Sequence, residues 1–225
     1  MLFPPVTPAD FTLYGGGLLS LCPSIPPDGS ITRLNRPDGS ECAYSPTRIL
    51  ALCKREFEFP QTWPDALRFI GPMLYTPPLG YQEPVFKKGK KYVLVTHLDW
   101  HKEAVAGAVA VPAGTMPDWE FHFTEGNGTS GLRYQQGNFC RVPWVDYDRY
   151  LSRYAAVIHH GGAGIVWHCI SRNVPALIYP VDYDQFDHAA RLEYRGKGIW
   201  LRSGLTALEQ AGDTLRKLVE RYDRK

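Results

Sequence analysis

From Lys91 onward the chain alternates short β-branched runs with stretches of helical periodicity, and this alternation limits its fold more than any other feature. KYVLVT (91–96), WEFHF (119–123), FCRV (139–142), AAVIHH (155–160), PALIYP (175–180) and IWLR (199–202) read as strands. Between them lie the Ala-rich HKEAVAGAVAV, the short DYDRYLSRY with Asp146 or Asp148 as its cap, and a helix running to about Ser171. Asp184 to Arg195 reads as a further helix whose apolar face includes Phe186, Ala189, Ala190 and Leu192, with Gly196 and Gly198 ending it. The terminal LTALEQAGDTLRKLVERYDRK carries Leu205, Leu208, Leu215 and Leu218 at largely helical spacing. Strands alternating with helices over so long a stretch predict an α/β domain built on a doubly wound parallel sheet.

The first 45 or so residues follow different rules. PPVTPAD, YGGG, PSIPPDGS and NRPDGS are dense in turn formers and leave little periodic apolar surface. SPTRILAL reads equally as a helix or a strand, and a Pro-punctuated connection follows it to about Pro84. Two parts are therefore expected, a turn-rich segment with its linker at 1–84 and the alternating domain at 85–225. A formal charge of +2 offers no field for nucleic acid or an anionic membrane, so any bound anion is held by a local site. Five cysteines without a CxxC spacing argue against a disulfide framework or structural zinc and suit a reducing cytoplasm. The start lacks the pattern of a secretory signal, and no apolar run has the length of a membrane span.

The chemistry concentrates in VIHHGGAGIVWHC (157–169), a strand, a glycine-rich turn and a helix. A helix N-terminus offers unpaired N–H groups and the positive end of a dipole, a natural seat for phosphate. Gly161, Gly162, Ala163 and Gly164 let an anion approach those amides, and His159 or His160 adds a ring N–H. Successive side chains alternate along a strand end, so one histidine points to a ligand and the other inward, and His160 is the choice for the ligand. Zinc held by His159, His160, His168 and Cys169 matches no common ligand spacing, so no metal is expected. Without GxGxxG or a Walker loop, a dinucleotide oxidoreductase or a P-loop enzyme is disfavoured.

The downstream residues give the turn a context. His160-Gly161-Gly162, Asn173-Val174-Pro175, Asp184-Gln185, His188-Ala189 and Gly196-Lys197-Gly198 occur in the order of a donor-binding signature. In this the chain resembles the UDP-glycosyltransferase superfamily, whose GT-B fold pairs two Rossmann-like domains. FIGPMLY (69–75) resembles that family's hinge, and VPWVDYDRYL (142–151) its base-binding loop. The resemblance implies the Rossmann-like C-terminal half of a GT-B fold, preceded by a partial N-terminal segment. It implies that His160 and the amides of Gly161, Gly162, Ala163 and Gly164 hold a donor diphosphate, and that Trp144 stacks on the nucleobase while the Val145 backbone reads its edge. It further implies that Asp184 and Gln185 bind the donor sugar and that His168 stands at the ribose.

Departures accompany the match. Ile165 replaces a hydroxyl residue, His188 an asparagine, and Thr96-His97-Leu98-Asp99 the family's Gly-Ser or Gly-Thr, where a histidine threatens to crowd the cleft. Too few residues precede the alternating domain for a full acceptor domain, and the first histidine is His97. No catalytic residue is therefore assigned, and the general base is expected outside this chain. The expected activity is the donor half of an inverting glycosyltransferase, moving a hexose from a nucleotide-diphosphate sugar to an acceptor hydroxyl, with no cofactor. The other reading is a non-catalytic nucleotide-sugar-binding partner of a split or degenerate enzyme. Expected partners are the nucleotide sugar, an acceptor, and an acceptor-domain chain or a second copy.

Overall fold

A computed structural model describes residues 11–14, 18–21, 49–60, 62–63, 65, 67–74, 83–126 and 134–223. The chain divides into two compact units, 1–73 and 74–225. Most of the turn-rich start, residues 22–48 included, lies outside the described residues, as does the linker at 75–82.

In the first unit β1 (Phe11–Tyr14) pairs antiparallel with β2 (Leu18–Leu21), and β3 (Ile49–Ala51) pairs parallel with β4 (Leu67–Phe69). The ambiguous SPTRILAL thus supplies a strand, with Ala51, Cys53, Phe57 and Leu67 buried around it.

The second unit is the alternating domain. Its strands are β5 (Lys91–Val95), β6 (Trp119–Thr124), β7 (Tyr134–Gln136), β8 (Phe139–Val142), β9 (Ala156–His159), β10 (Ala176–Ile178) and β11 (Gly198–Trp200). They form one sheet in the order β11-β10-β9-β5-β6-β8-β7, parallel throughout except where β7 pairs antiparallel with β8. The helices are α1 (Lys102–Gly114), α2 (Tyr147–Tyr150), α3 (Ala163–Ser171), α4 (Gln185–Tyr194), α5 (Gly204–Glu209) and α6 (Gly212–Asp223). Starting from β5 the chain builds the sheet outward through β6 and β8, then crosses to the other side of β5 and builds through β9, β10 and β11. Strand order therefore reverses between β5 and β9, where an open α/β sheet leaves a crevice beyond the carboxyl ends of its strands.

Side-chain alternation explains the two cores. Val93, Val95, Phe121, Phe123, Ala156 and Ile158 face one side and pack with Val105, Val109, Leu208, Leu215 and Leu218 from α1, α5 and α6. Tyr92, Leu94 and Val157 face the other and pack with Leu151, Ile165, Cys169 and Val174. Asp146 caps α2 by accepting a bond from the Arg149 amide at 3.1 Å, one of the two caps expected from the sequence.

Three details differ from the sequence reading. Phe186 is 43% exposed, while the buried face of α4 carries Gln185, His188, Ala189, Arg191 and Leu192. Polar residues turn inward because that face closes on the glycine turn after β9, and Phe186 meets the Trp200 ring edge-on instead. The terminal stretch forms two helices rather than a single periodic run; the break after α5 lets Leu208, Ala211, Leu215 and Leu218 share one core. The strand β7, YQQ, has no apolar alternation to announce it. It arises from a hairpin turn in which Gly137 takes φ of 59° and the Asn138 amide donates to the carbonyls of Ala113, Met116 and Trp119.

Candidate nucleotide site

β9 ends at the switch point, and its last residue, His159, is fully buried. The His159 Nδ1 accepts a bond from the Gly161 amide at 3.0 Å, so the ring proton sits on Nε2. Burial, reinforced by His160 and His188, pushes His159 down to about 3, and the ring is neutral at physiological pH. This matches the alternation argument, which sends His159 inward.

His160 comes next and is only partly buried. Burial lowers it to about 4; His97 and His188 add to the shift, and Asp184 opposes it. The His160 ring lies over Gly162, where an added Cβ would come within 2.6 Å of its Nε2. Gly162 thus makes room for the histidine beside it.

Gly161 turns the chain with φ of +102° and passes the backbone of Gln185, leaving 2.9 Å between a hypothetical Cβ and the Gln185 carbonyl oxygen. Its own carbonyl accepts a bond from His188 Nδ1 at 2.5 Å. His188, standing where the resemblance expects an asparagine, locks this turn to α4.

From this turn α3 starts. Gly162 is its N-cap, with no side-chain cap and no acidic residue in the first turn. The first backbone bond of the helix runs from the Val166 amide to the Gly162 carbonyl at 3.1 Å, so the amides of Ala163, Gly164 and Ile165 have no partner inside the helix. Gly164 is exposed, with no atom within 4 Å of where a Cβ would stand, so the first turn of α3 is open at this residue. Ile165 is buried in the core below, which accounts for its lack of a hydroxyl.

Asp184 is the N-cap of α4, and its side chain makes no cap bond there. The Gln185 side-chain oxygen Oε1 accepts from the amides of Val181 and Asp182 at 2.9 and 3.1 Å, which fixes the turn and leaves the side-chain nitrogen as its donor. The fold therefore brings His160, the glycine turn, Asp184 and Gln185 together.

Trp144, Val145 and His168 form a second group. Val145 is buried in the core on the α3 side of the sheet. The indole of Trp144 stacks on Tyr147 with centroids 5.9 Å apart, and Tyr147 meets the edge of His168 at 5.1 Å. His168 is 4% exposed and lies 3.6 Å from the Asp148 carboxylate, which also receives Arg172 at 2.7 Å. Asp148 is the more open polar group at this level.

Sequence reasoning assigned no ligand contact to His97, Thr96 or His188. Their signal lies in strand register: Thr96 and His97 extend β5 just as His159 and His160 end β9, and only pairing β5 with β9 sets them side by side. Among the described residues no three His, Cys, Asp or Glu side chains gather as a metal site would require, and no helix is long and apolar enough to cross a membrane.

Residues 120–222 match the family described as erythromycin biosynthesis protein CIII-like, C-terminal domain. O-mycaminosyltylonolide 6-deoxyallosyltransferase of Streptomyces fradiae is 42% identical over 60 residues, 27% of this chain and 14% of that protein. Zeaxanthin glucosyltransferase of Pseudescherichia vulneris is 25% identical over 163 residues, 70% of this chain and 39% of that protein. The spinosyn rhamnosyltransferase SpnG, solved with spinosyn aglycone, superposes with a TM-score of 0.60 at 22% identity, covering 79% of this chain and 50% of that one. SpnG has also been solved with thymidine diphosphate. The chain thus spans half the length of this structural relative and less of the two curated ones. Together with the switch-point sheet, these likenesses show that the second unit has the Rossmann-like fold of GT-B C-terminal domains, with residues 120–222 similar to the erythromycin biosynthesis protein CIII-like family.

Proposed function

We propose that this chain is the donor-binding portion of an inverting glycosyltransferase that moves a hexose from a nucleotide-diphosphate sugar to an acceptor hydroxyl. One observation carries this reading: an uncapped helix N-terminus at the switch point, open at Gly164 and flanked by His160 and Asp184. The unpaired amides of α3, its dipole and the His160 ring stabilise the negative charge that grows on the diphosphate as the anomeric bond breaks. Asp184 and the amide nitrogen of Gln185 hold hydroxyls of the sugar. Trp144 offers its indole to the base, with the Val145 backbone at its edge, and the ribose falls at the level of Asp148 and His168. An acceptor domain supplies the base that takes the proton from the acceptor hydroxyl.

Calorimetric titration with thymidine and uridine diphosphates tests this directly. One of them binds, and His160→Ala weakens that binding by about 1–3 kcal/mol, the range for losing a charge-assisted hydrogen bond. A folded chain that binds neither nucleotide refutes the reading; unchanged affinity in the variant refutes the role of His160.

A further inference from the structure

A second histidine stands beside His160. The β5–β9 ladder pairs Val93 with Ala156, Leu94 with Val157 and Val95 with Ile158, and the Thr96 amide extends it by bonding the Ile158 carbonyl at 2.9 Å. Carried two residues past Val95 and Ile158, the same register sets His97 beside His160. Alternation puts both on the face of Val93, Val95, Ala156 and Ile158, on neighbouring strand ends about 4.8 Å apart.

The ring of His97 is held from two directions. Its Nε2 donates to the Thr124 carbonyl at 2.6 Å, and its plane lies 13° from that of Phe123 with centroids 4.8 Å apart. The Arg141 guanidinium covers Phe123 at 5.3 Å and is itself held by Glu103 and Glu125. The other nitrogen of His97, Nδ1, is shut off from solvent with no hydrogen-bond partner. The same is true of His160 Nδ1, while Nε2 of the fully buried His188 has only the Asp184 carboxylate near it, at 3.9 Å. Buried polar atoms are nearly always paired, so two such nitrogens on neighbouring strand ends point to a polar ligand that completes them.

The chemistry of the orphans selects the ligand. With Nε2–H committed to a carbonyl, Nδ1 of His97 can donate only when the ring carries a second proton, and a doubly protonated ring calls for an anion. The groups acting on His160 are His97, Asp184 and His188, with no lysine or arginine among them. Around His97 stand His160 just past β9, Glu103 from α1, and Arg141 behind Phe123, while Lys102 and Glu125 pair with each other near Thr124. An anion placed beside an imidazole ring favours its doubly protonated, donating form.

We propose that His97 is a second diphosphate-binding residue, its Nδ1–H donating to the same phosphate group as His160, so that the donor binds with uptake of a proton from solvent. This rests on the diphosphate reading given above. The histidine in place of the family's glycine then contributes a contact instead of crowding the cleft.

The test is calorimetry of the chain with thymidine diphosphate, uridine diphosphate and inorganic pyrophosphate at pH 6 and pH 8, in buffers of different ionisation enthalpy. Wild type is expected to bind more tightly at the lower pH and to take up protons. His97→Phe keeps the stack on Phe123 but removes the nitrogen, and is expected to lose about tenfold in affinity at pH 6, far less at pH 8, and part of the proton uptake. His97→Gln restores a neutral donor and is expected to recover affinity at pH 8 without the gain at pH 6, and its unfolding midpoint shows that the fold survives. A His97→Phe or His97→Gln chain with wild-type affinity and proton count at both pH values overturns the role of His97 and leaves the diphosphate site standing. A folded wild type that binds none of the three probes overturns that site, and this proposal with it.

Discussion

Gly161→Ala is expected to destabilise the second unit by about 2–4 kcal/mol and to abolish nucleotide binding. Gly161 has φ of +102°, in a region that side-chain-bearing residues rarely occupy, so alanine is strained whatever the space available. The space is also missing: a Cβ would stand 2.9 Å from the Gln185 carbonyl oxygen and 3.2 Å from its Cα. Both are backbone atoms at the start of α4, and they retreat only if the helix moves. Three connections depend on this residue, namely the amide bond to His159, the carbonyl bond from His188 and the entry into α3. Gly164→Ala is the matched control, with an ordinary φ and no neighbour within 4 Å of its Cβ. Since alanine suits a helix better than glycine, the control is expected to stabilise the chain by about 0.5–1 kcal/mol while still weakening binding, because the new methyl group would stand in the path of the proposed diphosphate. Urea unfolding and calorimetry on the two variants separate a structural glycine from an access glycine. A stable Gly161→Ala chain would show that the turn is not as tightly held as these distances require.

Acid is expected to weaken the unliganded chain over a defined window. His159 drops to about 3 in the folded state, against an ordinary value near 6.5. Between those values the unfolded chain holds a proton that the native ring refuses, so stability is complete above pH 6.5 and declines as pH falls toward 3. At about 1.4 kcal/mol per pH unit, His159 alone costs about 2 kcal/mol between pH 6.5 and pH 5. His160, lowered to about 4, acts in the same direction. Unfolding midpoints at pH 7.5, 6 and 5 should fall in step, and His159→Asn, which keeps an acceptor for the Gly161 amide, should flatten the decline. A midpoint that stays constant across this range would mean that the buried ring titrates normally. Thymidine diphosphate should offset part of the loss, since a ligand that binds only the native state stabilises it, and more so where it binds more tightly.

Sequence and structure part company according to the range of the interaction. The strand-to-helix turn at 157–171 was legible because its signals are local: an apolar run, glycines at the bend, then helical spacing. The Asp146 cap was legible for the same reason. Phe186 was misplaced because apolar character alone does not say which face of α4 is inside, and here the inside face meets a turn lined with hydrogen-bonding groups. β7 depends on a hairpin partner and on Asn138 bonds to three carbonyls 19 to 25 residues away, none of which a local pattern records. His97 is the clearest case. It is 63 residues from His160 in sequence, and only the decision to place β9 beside β5 makes them neighbours.

The sheet's two ends carry a practical consequence. β7 and β11, its outermost strands, are each three residues long. An unpaired edge recruits a strand from another molecule in proportion to the run of free N–H and C=O groups it displays, and three residues display very few. Edge-to-edge pairing through these two strands should therefore be limited at the concentrations that calorimetry demands, and it would add little to the differences in heat among the variants.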